Sequence, residues 1–192
     1  MPYPTINHLI WRLKTRMSKH FSILVLAISL FGISSCKKDQ CLTGDKYKIG
    51  SIREVEPFTG IDVNLSAVVE LVRDTGTNVP FVEFVVEGNL EEYISTVVSQ
   101  NTLNISLSDC FTEHENILII VHYDTLNSIS ISGPGDVKSS TKLVQDSLNL
   151  IINSTGDIYL TTDVQKINSQ IDGTGNIFIN GQVGLHNIQN NN

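Results

Sequence analysis

The sequence predicts an all-β domain, built mainly as a right-handed parallel β-helix or solenoid with coils of about 20 residues. Three observations support this prediction. Short segments alternate apolar and polar residues, one glycine-containing phrase recurs at nearly constant spacing, and no stretch of useful length has helical periodicity. An antiparallel β-sandwich is the alternative, because two hairpins also use about 20 residues.

The first element along the chain is a candidate leader. Lys19 and His20 precede an apolar or small run over residues 21–33, which is followed by Ser34-Ser35-Cys36. This run of about 13 residues is too short for a membrane-spanning helix, and its small-residue end is typical of a cleavage site. We therefore expect residues 17–35 to be a signal peptide.

Residues 33–36 resemble the bacterial lipobox, which predicts that Cys36 carries a lipid. An ordinary secretory leader with an incidental cysteine is the alternative. Residues 1–16 precede a second methionine and are expected to be a spurious extension, while residues 36–46 form a lipid-anchored tether. Residues 47–192 then form the folded domain, held at the outer membrane and facing the periplasm or the cell surface.

The charge balance excludes one class of partner. Four of the 13 basic residues lie before Cys36, whereas all 20 acidic residues follow it, so the mature chain has nine basic residues and a net charge of −11. Nucleic-acid binding depends on clustered lysine and arginine. We expect no nucleic-acid partner, and contact with the membrane only through the lipid.

Two cysteines remain after the lipid site, Cys41 and Cys110. In an oxidising compartment they form a possible disulfide, which would stabilise the fold by about 4 kcal/mol on loop-entropy grounds. Two free thiols or a mixed pairing are the alternatives. Neither cysteine has a second ligand at metal-binding spacing, and we expect no metal and no cofactor.

Period-2 alternation defines the strands between residues 61 and 123, and turn residues such as Pro57, Gly60 and Gly88 bound them. The clearest alternating segments are Ile61–Leu65, Val82–Val86, Leu103–Leu107 and Ile117–Tyr123.

The last third of the chain contains three related corners, whose final glycines lie 21 and then 19 residues apart. Glycine followed by Asp or Asn is expected to supply positive φ and a side chain that bonds its own turn. Stacked repeats of this length bury a shared core. The corner residues are Gly133, Gly135 and Asp136; Gly156 and Asp157; and Gly173, Gly175 and Asn176.

A second set of residues follows the same period. Asn127, Asn149 and Asn168 each come after an apolar residue, and Asn187 lies another 19 residues on. Asparagines placed one above another form hydrogen bonds between their amides. We expect an asparagine column along the stack.

The phrases Arg53–Val55, Phe58–Val63 and Thr102–Ile105, together with the glycine corners, resemble the head GIN domain of autotransporter-adhesin-like proteins, a family common among Bacteroidetes lipoproteins. The resemblance covers nearly all of residues 50–189. It implies repeated β-helical coils and no established enzymatic activity. Pro134 and Ser154 depart from the corner pattern.

Several polar residues are candidates for chemistry. Asp136, Asp157 and Asn176 would form a column that a glycan-active β-helix enzyme could use, but Asp and Asn are favoured directly after turn glycines for backbone bonding. Glu113-His114-Glu115 is expected to be solvated loop, and His122 an outward-facing or capped strand residue. Calcium binding is disfavoured because the repeat is longer than nine residues.

Three functions follow from these observations. The leading one is a non-enzymatic, adhesin-like binding module of the cell envelope that contacts glycan or protein partners. The second is a structural spacer or assembly component, and the third is a glycan-active enzyme.

Overall fold

The structure, a computed structural model, describes residues 41–74, 76 and 79–191. The predicted extension 1–16, the signal peptide 17–35 and the lipid-attachment residue Cys36 lie outside the described residues. The domain described below therefore begins at Cys41.

The predicted all-β class is confirmed. The described residues form strands and one short 3₁₀ helix, η1, at Glu91–Tyr93. The strands are β1 Leu42–Thr43, β2 Lys48–Glu54, β3 Gly60–Asn64, β4 Val68–Arg73, β5 Phe81–Glu87, β6 Ile94–Ser99, β7 Thr102–Leu107, β8 Phe111–Thr112, β9 Leu118–Tyr123, β10 Ser128–Ile131, β11 Asp136–Ser139, β12 Leu143–Ile152, β13 Ile158–Ile171 and β14 Ile177–Asn190.

Twelve of these strands form one mixed sheet, and β1 pairs with β8 in a separate two-stranded sheet. The order in the large sheet is β2-β5-β9-β4-β11-β13-β12-β10-β3-β7-β6, with β14 paired to β13. The pairs β2–β5, β5–β9 and β6–β7 are antiparallel, and the others are parallel. The sheet therefore differs from the all-parallel prediction, because these three antiparallel pairs lie at its two ends.

The C-terminal repeats pair in parallel with one another. Asn149 lies opposite Ser128 and Asn168, and Asn168 lies opposite Asn187, so equivalent positions are one repeat apart. The continuous strand β13 pairs with β11 near its start and with β12 from residue 162 onward. Each repeat thus follows the path of the preceding one, which the antiparallel sandwich would not do.

Alternation along the strands produces buried columns in the repeat region. Ile61 pairs with Ile129, and Ile129 pairs with Leu150, and all three side chains are almost completely buried. Burial of such a side chain contributes about 1.5 to 3 kcal/mol. A single repeat could not bury these residues alone, so the core depends on stacking.

The corner glycines are required by close packing between repeats. A Cβ atom on Gly156 would overlap the carbonyl oxygen of Gly135, and one on Gly175 would overlap that of Gly156. The expectation of positive φ at these glycines is wrong, since Gly181 is the one glycine of the described chain with a φ in that region, at 125°. Side-chain volume, and not backbone conformation, excludes other residues at the corners.

Residues 41–46, which form the second half of the predicted tether, pack on the domain. Cys41 and Cys110 form a disulfide with a Cα–Cα distance of 4.7 Å, and β1 pairs with β8 directly beside it. The buried carboxylate of Glu87 accepts hydrogen bonds from the main-chain N–H of Lys46, at 2.6 Å, and of Glu115, at 2.8 Å. These contacts hold residues 41–46 against the domain.

The two ends of the large sheet approach each other through one side chain. Arg53 of β2 donates hydrogen bonds to the carbonyl oxygen of Ile94, at 2.6 Å, and to Thr96 Oγ1, at 3.1 Å, both in β6. Its guanidinium also pairs with Glu91 and lies over the ring of Phe84. Arg53 therefore occupies one main-chain acceptor, the carbonyl oxygen of Ile94, at the edge of β6.

Among the residues that the structure describes, no helix has the length and apolar character needed to cross a membrane.

The tight corner predicts a difference between two glycine substitutions. Gly156→Ala should lower the free energy of unfolding by at least about 2 kcal/mol, because the added methyl group displaces the neighbouring corner. Gly50→Ala, which adds a methyl group in open space on β2, should stay within about 1 kcal/mol of wild type. Urea unfolding of both variants measures this difference, and equal losses would contradict the role assigned to corner packing.

Candidate functional site

The corner carboxylates link one repeat to the next. Asp136 Oδ1 accepts a hydrogen bond from the main-chain N–H of Asp157 at 3.0 Å, and Asp157 Oδ1 accepts one from the N–H of Asn176 at 2.7 Å. Asn176 Nδ2 also donates to Asp157 Oδ1 at 3.1 Å. The expectation that each side chain bonds its own turn is therefore wrong, because these bonds run along the stack.

These bonds affect the ionisation of Asp157. Desolvation opposes its charged form, but the main-chain and side-chain hydrogen bonds from Asn176 and the hydroxyl of Tyr159 outweigh it and lower the pKa of Asp157. The ionised carboxylate thus stabilises the fold above the ordinary pKa, and this contribution is lost as the pH falls through the lowered pKa. The carboxylate is a hydrogen-bond acceptor near neutral pH.

A second row of exposed side chains lies two residues beyond the corner. The rings of Tyr159 and Phe178 stack with centroids 4.7 Å apart and planes 7° from parallel, and Lys138 Nζ lies 5.6 Å from the centroid of the Tyr159 ring. Tyr159 is 36% exposed and Phe178 is 49% exposed. The hydroxyl of Tyr159 donates to Asp157 Oδ2 at 2.9 Å, which joins this aromatic row to the corner row.

The asparagine column lies on the strands that lead into the corners. Asn168 Nδ2 donates to Asn149 Oδ1 at 3.0 Å, and Asn187 Nδ2 donates to Asn168 Oδ1 at 3.0 Å. Asn127 does not belong to this column, because Ser128 occupies the position opposite Asn149. Asn127 instead accepts the main-chain N–H of Asn149 through its carbonyl oxygen, at 2.9 Å.

The asparagine column borders an open groove of about 350 Å³. Five of its nine lining residues are asparagines or glutamines, and Leu150, Ile151 and Ile188 are the apolar ones. The lining residues used below are Asn149, Asn168, Asn187, Ile151, Gln170 and Gln189. We call the corner row, the aromatic row and this groove together the corner surface; it offers amides, carboxylates and exposed aromatic rings to a ligand.

One pair of side chains resembles a nucleophile and its base. Ser169 Oγ lies 2.7 Å from His186 Nε2 on neighbouring strands. Ser169 is only 4% exposed, and among the described residues no carboxylate accepts a hydrogen bond from His186. This geometry suits a buried polar contact near the end of the stack better than nucleophilic catalysis.

The other polar candidates lie away from the corner surface. His122 Nε2 lies 2.9 Å from Glu83 Oε1, and its ring stacks on Phe81 at 4.0 Å. In the candidate triplet 113–115, His114 makes an edge contact with Phe111. Among residues with described coordinates, no three His, Cys, Asp or Glu side chains form a group that could hold a metal ion.

Sequence reasoning missed the aromatic row. Lys138, Tyr159 and Phe178 each follow a corner Asp or Asn by two residues, and Tyr159 and Phe178 are one repeat apart. This regular spacing was the available indication. It places the residues on one face of β11, β13 and β14, beside the corner residues that the sequence did single out.

The comparisons with known proteins match the part of the chain that contains the corner surface. The family model "Putative auto-transporter adhesin, head GIN domain" matches residues 57–192. Comparison with curated proteins gave no match.

Three solved structures share the fold. A "putative adhesin" from Bacteroides fragilis has 24% identity and a TM-score of 0.68, and the match covers 78% of this chain and 76% of that one. A "putative lipid binding protein" from Parabacteroides distasonis has 16% identity, a TM-score of 0.63 and coverage of 75% and 63%. A "putative adhesin" from Parabacteroides distasonis has 17% identity, a TM-score of 0.61 and coverage of 78% and 72%.

The bond between Tyr159 and Asp157 predicts a change in tyrosine ionisation. The hydrogen bond to Asp157 raises the pKa of Tyr159 above 10.0, with smaller contributions from desolvation and from the charges of Asp157 and Asp136. Asp157→Asn should lower the pKa of Tyr159 towards its ordinary value. Absorbance titration of the phenolate, with Tyr159→Phe to identify the band, tests this expectation, and an unchanged titration would contradict it.

Proposed function

The chain belongs to the family described as "Putative auto-transporter adhesin, head GIN domain", and from this membership we propose that it is a non-enzymatic binding module of the cell envelope. Its ligand is a glycan, which it contacts through the corner surface. The observation that carries this proposal is the exposed aromatic row of Lys138, Tyr159 and Phe178 beside the acceptors of the corner row.

The chemistry of the corner surface matches that of a sugar. Pyranose rings present C–H groups that pack against aromatic side chains, and hydroxyl groups that pair with amides and carboxylates. Tyr159 and Phe178 supply the aromatic contacts, while Asp157, Asn176 and the amide-lined groove supply hydrogen-bonding groups. Exposed aromatic residues held in a fixed array are typical of a recognition surface.

The net charge of the chain indicates which class of glycan is the ligand. The mature chain has a net charge of −11, and Lys138 is the one basic member of the aromatic row. Long-range repulsion therefore disfavours heavily sulfated or carboxylated polymers. A neutral glycan is the expected ligand.

The bonding of the candidate catalytic groups supports a non-enzymatic role. Asp136 and Asp157 already accept hydrogen bonds from main-chain amides, and Ser169 is buried. A carboxylate that acts as a general acid requires a raised pKa, whereas the pKa of Asp157 is lowered. These properties favour binding over hydrolysis.

The proposal also includes the winding of the repeats and the attachment of the chain to the membrane. We infer that the repeats from residue 128 onward wind as a short right-handed β-solenoid, and the parallel register of β12, β13 and β14 supports this interpretation. The lipobox at residues 33–36 supports attachment of the chain to the outer membrane through a lipid on Cys36. The solenoid would then present its corner surface to the periplasm or the cell exterior.

Glycan binding is tested with the mature chain from Lys37 on an array of neutral glycans, followed by titration of any ligand that binds. Tyr159→Ala and Phe178→Ala should each weaken binding about tenfold or more, which corresponds to about 1.4 kcal/mol. Val97→Ala, which trims an exposed apolar residue on β6, should bind like wild type. A reducing-sugar assay on the same ligand should detect no release.

Three other results of these experiments would contradict parts of the proposal. Binding that survives both aromatic substitutions would remove the aromatic row from the site. Capture of a protein and no glycan would overturn the choice of ligand, and sugar release that Asp157→Ala abolishes would overturn the non-enzymatic assignment.

Attachment through Cys36 is tested by Cys36→Ser in the full chain. We expect the wild-type chain in the membrane fraction labelled by a fatty-acid probe, and the variant unlabelled and released from the membrane. An unlabelled wild-type chain would overturn the anchor, while added protease on intact cells would distinguish periplasmic from surface exposure.

A further inference from the structure

The final strand leaves one long edge open. β14, at Ile177–Asn190, pairs with β13, and no other strand of the described chain pairs with it. Its 14 residues extend over as much as about 46 Å of contour at the usual rise of a strand. An edge of this length is a template for pairing with another strand.

The aromatic row, the asparagine column and the core column all have their last described member in β14. Phe178 has Tyr159 against one ring face, and the amide row ends at Asn187, which donates to Asn168. Ile188 continues the column of Ser169, which is buried, yet Ile188 itself is 64% exposed. The aromatic, amide and core rows are therefore all in position to receive one further layer.

The edge also lacks the residues that normally prevent pairing. Residues 177–190 contain no Asp, Glu, Lys, Arg or Pro. Charged residues and proline are the usual protection of an open edge. By contrast, β2 carries Lys48, Arg53 and Glu54, and Arg53 places its charge against β6 by bonding to Ile94 and Thr96.

The last strand has no charge where β13 has two. Asp163 and Lys166 in β13 are opposite Gln182 and Leu185 in β14. The corner rows change in the same way, since Asp157 is followed by Asn176, and Asp172 by Asn191. Asn191 donates to the carboxylate of Asp172. A neutral strand thus lies beside a charged one in a strongly acidic chain.

We propose that a second copy of this chain docks on β14, edge to edge, to form a two-fold symmetric dimer. A two-fold axis brings identical strands together antiparallel. The strand is self-complementary when the two-fold axis passes between Val183 and Gly184. Ile179 of one copy then lies opposite Ile188 of the other, and Asn180 lies opposite Asn187.

The same register respects the two faces of the strand. Ile179 and Ile188 follow the buried residues Leu160 and Ser169 and therefore face inward, whereas Asn180 and Asn187 are exposed. Residues that face inward in one copy thus lie opposite residues that face inward in the other. A shift of the pairing by one residue would place them opposite exposed residues. No pair of like charges is created, so the acidic chain docks through its neutral end.

The dimer extends the function of the corner surface. In this register Phe178 of one copy lies opposite Gln189 of the second copy, so the aromatic row of one copy continues into the groove residues Gln170 and Gln189 of the other, and each assembly carries two corner surfaces. A polymeric glycan that reaches both binds with the advantage of a high local concentration. The dimer itself stands without this consequence, because it depends on β14 alone.

The test measures the mass of the mature chain from Lys37 by sedimentation velocity over a range of micromolar concentrations. Wild type should be a dimer. In the proposed register Gln182 meets Leu185 of the second copy, and both side chains are exposed in the described structure. Gln182→Lys with Leu185→Lys places two lysines opposite each other and should raise the dimer dissociation constant at least tenfold.

A charge swap at the same two positions makes the test specific. Gln182→Lys with Leu185→Glu places the introduced lysine opposite the introduced glutamate of the second copy and should restore the dimer. Val97→Lys, an equal change on the exposed surface of β6, should leave wild-type mass. Thermal unfolding of each variant separates loss of the dimer from loss of the fold.

Three results would overturn the proposal. They are a monomeric wild type throughout the concentration range, equal behaviour of the two double variants while both remain folded, and a series of growing oligomers in place of a closed dimer.

Discussion

The close approach of successive corners is the constraint on which the rest of the structure depends. At Gly135, Gly156 and Gly175 the carbonyl oxygen of one repeat occupies the space that a Cβ atom of the next would need. The repeats can therefore stack only in the register that aligns these glycines. Once that register is set, apolar residues at equivalent positions fall into buried columns and polar residues into exposed rows.

The exposed rows connect the packing of the chain to its proposed function. Asp157 bonds to the next corner through its carboxylate and to Tyr159 through the phenol hydroxyl, so the position of the aromatic row depends on the corner row. A ligand meets side chains that their neighbours already hold in place, which reduces the entropy lost on binding. The disulfide between Cys41 and Cys110 and the bonds of Arg53 stabilise the opposite part of the sheet.

The last layer differs from the others because nothing within the described domain covers it. Gln182 and Leu185 take the positions of the charged residues Asp163 and Lys166 in β13, and Phe178, Leu185 and Ile188 remain exposed. A strand with this composition at an edge costs solubility unless another surface covers it. The exposed end and the corner surface are adjacent, so a partner at the edge and a ligand at the surface would affect the same few strands.

Sequence alone determined the all-β class, the repeat spacing and the corner glycines, because local alternation and recurrence are visible in one chain. It offered Cys41 and Cys110 as a possible pair, and the structure shows the bond. Tertiary structure decided the antiparallel pairing of β2, β5 and β6, the displacement of Asn127 from the asparagine column, and the stacking of Tyr159 on Phe178. Alternation identifies which residues face inward, but it does not identify the strand that lies opposite. That partner is set by packing between residues far apart in the chain, and the exposed rows follow from it.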